Sequence, residues 1–231
     1  MINKIEVWGD SILKGIILSD NDRYVSLRDA GCVALAAKAL NLPIVNHSHF
    51  GMTSEKGKEV LRRGLEKLNE CEAVLIGFGG NDIDYDWEKV SQTPFDIHTP
   101  HTSPERFELN VEDMVNTARA DGQMPILCTL PPICSELYCK WIGRRVNNPE
   151  NIIKFLGDTE AIFRSHLQYN NIIESVAEKL SCLIVDLRTP FLQTDCYSDY
   201  LCSDGIHPNA KGHILMKNAM INFARKELSL S

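Results

Sequence analysis

The stretch Val7-Trp8-Gly9-Asp10-Ser11 ends an apolar run at a Gly-Asp-Ser tripeptide near the start of the chain. The run itself, residues 2–8, indicates a buried first strand. Residues 11–18 are expected to form a short helix, so that Ser11 lies where a strand ends and a helix begins. In an open α/β sheet the ligand crevice lies at that edge. Ser11 is therefore either the N-cap of a helix or a candidate nucleophile.

Strand-like and helix-like segments alternate along the rest of the chain. Apolar runs predict further strands at 43–46, 73–78, 125–130 and 183–186. Helical spacing predicts helices at 30–40, 53–68, 104–120, 159–180 and 208–226. This alternation predicts a three-layer α/β/α sandwich with a five-stranded, mostly parallel sheet of the flavodoxin-like type. We expect residues 1–231 to form a single domain, with long loops 83–103 and 133–158 as lid or substrate-pocket elements.

Composition narrows the function classes. The chain has 231 residues, of which 44% are hydrophobic, and a net charge of −7 with both signs interspersed. These values predict one globular core and argue against nucleic acid or an anionic membrane as partner. Because no apolar run approaches the roughly 18 residues of a spanning helix and no signal-like start is seen, we expect no membrane insertion and a cytoplasmic location.

Cysteine and histidine residues do not indicate a metal site. The eight cysteines include no C-x-x-C pair, so we expect mostly reduced, packing thiols. Four histidines are expected to be loop, packing or lid-surface residues, because no carboxylate or cysteine completes a ligand set: His47, His49, His98 and His101.

Chemistry-bearing residues follow several of the predicted strands. Gly51 follows the second strand, and Gly79-Gly80-Asn81-Asp82 follows the third. Near the C-terminus, Asp204 precedes His207 by three residues in a loop before the last helix. A serine nucleophile needs a neutral imidazole as base and a carboxylate that orients it. Taken alone, His207 could instead cap the last helix and Asn81 could be a turn residue.

These four blocks, in this order, strongly resemble the SGNH (GDSL-type) hydrolase family over almost the whole chain. The resemblance implies that Ser11 is the nucleophile, His207 the general base and Asp204 its partner. It also implies an oxyanion hole made by the backbone N–H groups of Ser11 and Gly51 and the side-chain amide of Asn81. Such donors suit a developing oxyanion, and no cofactor or metal is required.

The predicted function is hydrolysis of a small-molecule carboxylic ester through an acyl-enzyme, with short-chain or acetyl esters, including acetylated carbohydrate, as substrates. Lysophospholipase, thioesterase or acyltransferase activity at the same site is the alternative, and a non-catalytic binding module with this fold is another. A nucleotide-binding protein is disfavoured because the glycine pattern after strand three fails at Asp82. A conventional α/β-hydrolase is disfavoured because no G-x-S-x-G motif occurs. Four aromatic residues of the long loops are expected to line the pocket: Trp87, Phe95, Tyr138 and Trp141.

Overall fold

The computed structural model describes residues 2–65 and 72–230. Within these ranges the chain forms seven strands and nine α-helices. In chain order they are β1 (Ile5–Gly9), β2 (Ile16–Leu18), β3 (Tyr24–Ser26), α1 (Cys32–Leu40), β4 (Ile44–Asn46), α2 (Ser54–Leu65), β5 (Ala73–Gly77), α3 (Trp87–Gln92), α4 (Pro104–Ala120), β6 (Met124–Cys128), α5 (Ser135–Gly143), α6 (Glu150–Leu156), α7 (Ala161–Lys179), β7 (Leu183–Val185), α8 (Thr189–Leu192) and α9 (Ala210–Glu227). The part of the predicted helix 53–68 that follows Leu65 lies outside the described residues.

Five of these strands form one parallel sheet in the order β4-β1-β5-β6-β7. Alternate residues of β1 enter different cores, because successive strand side chains point to opposite faces. Val7 packs with α1 and α9 on one face, whereas Trp8 packs with α2, α4 and α7 on the other. The predicted three-layer α/β/α sandwich with a five-stranded parallel sheet is confirmed.

The segment after Ser11 differs from its prediction. Residues 11–18 do not form a helix: a single turn is followed by β2, which pairs antiparallel with β3. Gly15 ends the turn with a φ of +77°, a conformation that glycine adopts without strain. A Cβ at Gly15 would lie 3.2 Å from the Cα of Gly31, so the chain also passes closely there. The apolar spacing of residues 12–18 reflects a turn and a hairpin strand.

The two long segments expected as lid or pocket elements both contain helix: 133–158 is largely helical, whereas 83–103 has one short helix. Residues 83–103 contain α3, which the prediction of a long loop missed, and residues 133–158 contain α5 and α6. These short helices share a third apolar core, in which Val90, Trp141 and Ile152 are buried. The two segments therefore form one packed layer.

The strand order fixes where a ligand crevice can form. From β1 the chain crosses to β4 at one edge, and it then returns past β1 to β5. The connections that leave β1 and β5 therefore diverge, and parallel sheets bind ligands at such a switch point. Ser11 follows β1 and Asn81 follows β5, so both lie at this point.

The described cysteines, which exclude Cys71, are all free thiols. Among residues 2–65 and 72–230, no helix has the length and apolarity needed to cross a membrane.

Candidate active site

Ser11 lies in a tight turn that backbone hydrogen bonds hold against β5. The Asp10 N–H donates to Gly77 O at 3.3 Å, and the Lys14 N–H donates to Asp10 O at 3.1 Å. A Cβ at Gly9 would lie 2.6 Å from Gly77 O, so a side chain there would push β1 away from β5. Within the described part of the chain, the Ser11 N–H donates to no protein acceptor. The turn thus leaves the Ser11 N–H available to a ligand.

Asp204 and His207 lie in a loop closed by its own hydrogen bonds. The Cys202 N–H donates to His207 O at 2.7 Å. Asp204 Oδ1 accepts the N–H groups of Ile206 at 3.0 Å and of His207 at 3.1 Å. The capping alternative for His207 is excluded, because Asn209 Oδ1 caps α9 by accepting two of its first N–H groups.

A hydrogen-bonded chain joins the serine, the histidine and the aspartate. His207 Nδ1 donates to Asp204 Oδ2 at 2.7 Å, and the Ser11 hydroxyl donates to His207 Nε2 at 2.9 Å. All three side chains are at most 6% exposed. Burial alone would raise the pKa of Asp204, but hydrogen bonds from His207 and the backbone, with the His207 charge, lower it overall. Asp204 is therefore a carboxylate at neutral pH, and it directs the free lone pair of His207 toward Ser11.

The base loop rests on the first turn of α5. The Cys134 N–H donates to Gly205 O at 2.8 Å. Gly205 has a φ of +73°, and a Cβ there would lie 2.6 Å from Cys134 O and 2.7 Å from the Cβ of Leu137. Only glycine fits this position, so Asp204 and His207 are held by contact with α5.

Asn81 is held by one hydrogen bond of its side chain and one of its backbone carbonyl. Its Nδ2 donates to Met52 O at 3.2 Å, and His101 Nδ1 donates to Asn81 O at 3.0 Å. The adjacent carboxylate of Asp82 accepts the N–H of Ser54 at 2.9 Å and its hydroxyl at 2.6 Å. These bonds tie the loop after β5 to the start of α2. Asn81 does not have a positive φ, so the alternative of a left-handed turn residue is excluded.

Ser11, Asn81 and His207 line one cavity of about 410 Å³. Gly51 is not among the described residues that line it, although its neighbour Phe50 is. Gly51 has a φ of +71° and is exposed. The structure therefore brings four predicted site residues together: Ser11, Asn81 and His207 line the cavity, and Asp204 is bonded to His207 behind it. Gly51 lies beside the cavity.

The cavity wall is mainly apolar, and both long segments contribute to it. Trp87, Tyr138 and Trp141 line it as expected, whereas Phe95 is 85% exposed and does not. The guanidinium of Arg145 also lines the cavity and stacks 3.2 Å from the centre of the Trp141 ring.

Three site residues were missed in the sequence. Tyr24 and Phe50 flank His207, with ring centres 5.0 Å and 6.2 Å from the imidazole. Tyr24 lies on β3, which pairs with the strand β2 that was predicted as helix, and no element was predicted for Tyr24 itself. Phe50 directly precedes Gly51, and this position is the signal that could have found it. His101, expected at a lid surface, is exposed and also contacts the Asn81 backbone.

Asp10 is a buried carboxyl group that lines the cavity next to Ser11. Burial raises the pKa of Asp10 to about 6, against the lowering effects of the Ile12 N–H and of His207. Its Oδ1 accepts the Ile12 N–H at 2.9 Å, which shapes the turn around Ser11. No cluster of three or more potential metal-ligating side chains occurs in the part of the chain that the structure describes.

Comparisons with known proteins agree with this geometry. The model of the GDSL-like lipase/acylhydrolase family matches residues 7–215. No curated protein sequence matches the chain.

Solved structures are similar in fold over nearly the full length. A lipase/acylhydrolase from Enterococcus faecalis has a TM-score of 0.69 at 20% identity, with 100% of this chain and 98% of that chain covered. Axe2, an acetylxylan esterase from Geobacillus stearothermophilus, has a TM-score of 0.67 at 20% identity, with 96% and 93% covered. The esterase EstA from Pseudoalteromonas sp. has a TM-score of 0.63 at 18% identity, with 98% and 99% covered.

The family match spans most of the chain, and it includes the Gly-Asp-Ser turn and the Asp204 to His207 loop. The chain therefore belongs to the GDSL-like lipase/acylhydrolase family, a family of ester-hydrolysing enzymes.

Proposed function

We propose that the protein is a serine hydrolase that cleaves carboxylic esters through an acyl-enzyme on Ser11. One observation carries the proposal: the Ser11 hydroxyl lies 2.9 Å from His207 Nε2, and Asp204 lies 2.7 Å from His207 Nδ1. A base within hydrogen-bond reach of the nucleophile, itself oriented by a carboxylate, is the arrangement that activates a serine hydroxyl.

The reaction has two halves, and each uses groups of this chain. Ser11 Oγ bonds to the ester carbonyl carbon while its proton passes to His207 Nε2. The carbonyl oxygen becomes an oxyanion, for which we propose the N–H groups of Ser11 and Gly51 and the Asn81 amide as donors. The tetrahedral intermediate collapses as His207 protonates the leaving alcohol. Water, deprotonated by the same histidine, then hydrolyses the acyl-enzyme and restores Ser11.

We propose short-chain or acetyl esters, including acetylated carbohydrate, as the substrates. Support comes from the structural similarity to an acetylxylan esterase. A second candidate is an ester or thioester with a longer acyl chain, as in a lysophospholipase or thioesterase. It is favoured by the apolar cavity wall, in which Ile133, Ile142 and Leu156 take part. A chain-length series of acyl esters distinguishes the two, because each buried CH₂ contributes about 0.8 kcal/mol.

A fluorophosphonate probe tests the nucleophile directly. We expect the wild-type protein to be labelled at Ser11, as read by peptide mass spectrometry, and to hydrolyse p-nitrophenyl acetate. Ser11→Ala should lose both the label and the hydrolysis, whereas His98→Gln, a change in an outer loop, should keep both. Labelling at another residue, or an unchanged rate in Ser11→Ala, would contradict the proposal. Failure of the folded wild-type protein to react at all would favour a binding module.

A further inference from the structure

A second buried histidine, His166 on α7, lines the same cavity as Ser11. The Arg188 Nη1–H donates to its Nδ1 at 3.1 Å. Because a guanidinium can only donate, Nδ1 must accept, and the ring proton of a neutral His166 must lie on Nε2. Burial, with the nearby charge of Arg188, lowers the pKa of His166 to about 3. His166 is therefore a neutral ring with one N–H donor, on Nε2.

The free side of this ring has access to the cavity. Among the described residues, no protein group bonds to His166 Nε2. This nitrogen nevertheless keeps some exposed surface. The Nε2 of His213, in contrast, is fully buried and lacks a partner within the described part of the chain. His166 as a whole is only 6% exposed. The Nε2–H group can therefore donate a hydrogen bond to a ligand in the cavity that the ring lines.

Stability does not explain the Arg188 side chain well. Arg188 is 5% exposed, and its Nη2 has no hydrogen-bond partner among the described residues. Its pKa is lowered because burial disfavours the charge. A buried cation with an unsatisfied nitrogen costs free energy, and an apolar residue at this place would avoid that cost. The guanidinium of Arg188 donates to Leu130 O at 3.3 Å and to His166, and it lies 5.1 Å from the centre of the Phe163 ring.

The topology sets the distance between this donor and the nucleophile. Arg188 and Leu130 follow β7 and β6, whereas Ser11 follows β1. In the sheet, β6 and β7 lie two and three strands away from β1. Neighbouring strands are about 4.8 Å apart, so the ends of β6 and β7, which carry Leu130 and Arg188, lie roughly 10–14 Å from the end of β1. The wall of the cavity as a whole is mainly apolar.

We propose that His166 Nε2–H binds a neutral oxygen atom of the substrate, a carbonyl, ether or hydroxyl oxygen at the far end of an otherwise apolar group. His166 is then a specificity-determining residue, and Arg188 is a positioning residue that fixes its tautomer. A neutral oxygen suits this donor, because His166 Nε2–H is uncharged and the cavity wall is mainly apolar. The charged side chains that line the cavity have both signs: Asp84, Glu88 and Arg145. The inference rests on the proposed function and deepens it by naming the substrate class.

The test moves one ether oxygen along a chain of constant length. In one series the oxygen lies in the acyl chain of p-nitrophenyl esters, and in the other it lies in the alcohol chain of acetate esters. Each compound is compared with its all-carbon counterpart. For wild-type protein we expect a kcat/KM ratio of about 5 in favour of oxygen at one distal position of one series, the usual contribution of one hydrogen bond. His166→Phe should reduce that ratio to about 1, and His166→Gln, which keeps a donor and an acceptor, should restore part of it.

The ratio within each variant controls for losses of folding or of overall activity. A wild-type enzyme without preference at any position, or His166→Phe with an unchanged preference, would overturn the inference while Ser11-dependent hydrolysis stands. Calorimetry supplies a measurement that does not need turnover. Ser11→Ala should bind the preferred ether ester about fivefold more tightly than its all-carbon counterpart, and Ser11→Ala/His166→Phe should bind the two equally. If Ser11 proves not to be the nucleophile, these affinities still decide the role of His166.

Discussion

His207 and His166 line one cavity, and each has a charged partner on Nδ1, but the partners have opposite sign. Asp204 accepts the proton of His207 Nδ1, so Nε2 keeps a lone pair and can act as a base. Arg188 donates to His166 Nδ1, so Nε2 carries the proton and can only donate. The residue bonded to Nδ1 therefore decides whether Nε2 of a buried histidine accepts a proton or donates a hydrogen bond.

The largest effect should come from making His207 resemble His166. In Asp204→Asn, the new amide NH₂ can donate to Nδ1 and hold the proton of the ring on Nε2. We expect kcat for p-nitrophenyl acetate to fall about 10⁴-fold, as a wrong tautomer does in serine proteases.

Asp195→Asn is the matched control, because Asp195 is an exposed carboxylate nearby in the chain and its loss should leave kcat unchanged. Circular dichroism should show both variants folded. A loss smaller than tenfold in Asp204→Asn would mean that the partner charge does not define the base.

A smaller loss should follow from removing a donor and leaving both histidines intact. Asn81→Ala should lower kcat by roughly 10²–10³ with little change in KM, because the amide is expected to act on the oxyanion alone. The loss should be the same at every pH at which the wild-type protein is active, since the base is untouched. Asn171→Ala, on the exposed face of α7, is the control. A change confined to KM would assign Asn81 to substrate binding.

The smallest effect concerns the pH dependence of stability, and it tests whether His166 stays neutral in the folded protein. The folded pKa of His166, about 3, lies below the ordinary histidine value of 6.5. The unfolded chain therefore takes up a proton first as the pH falls, and folding loses stability from about pH 6.5 downward. The glutamine of His166→Gln has no such proton equilibrium. Between pH 7 and pH 4.5 the free energy of unfolding should therefore decrease in both proteins, and the decrease should be about 2–3 kcal/mol smaller in His166→Gln than in wild type.

Urea denaturation at the two pH values measures this difference. His98→Gln, in an outer loop, should follow the wild-type curve. Equal pH dependence in wild type and His166→Gln would mean that His166 is not held neutral by its surroundings.

The two histidines also differ in how far the sequence could predict them. Asp204 and His207 are three residues apart, so a short loop brings them together, and their pairing was predicted. His166 and Arg188 are 22 residues apart on α7 and after β7, and only the packing of those elements makes them neighbours. A histidine among apolar residues of a helix carries no signal of its own.

Fold prediction failed where local and tertiary signals disagree. The five strands of the parallel sheet and the long helices were predicted because their apolar patterns are strong. Residues 11–18 carry helix-compatible side chains, but the positive φ of Gly15 and the pairing of β2 with β3 override that preference. Tyr24, placed beside His207 by this hairpin, was missed with it.

The contact of Gly205 with Cys134 joins two parts of the site: the loop that carries His207, and helix α5, which forms part of the pocket wall. A ligand that pushes α5 outward also pulls on the loop that carries His207, so the size of the bound group and the alignment of the base are coupled. An attempt to graft a different α5 onto this scaffold must keep the first turn of that helix, or the new specificity will come with a displaced histidine.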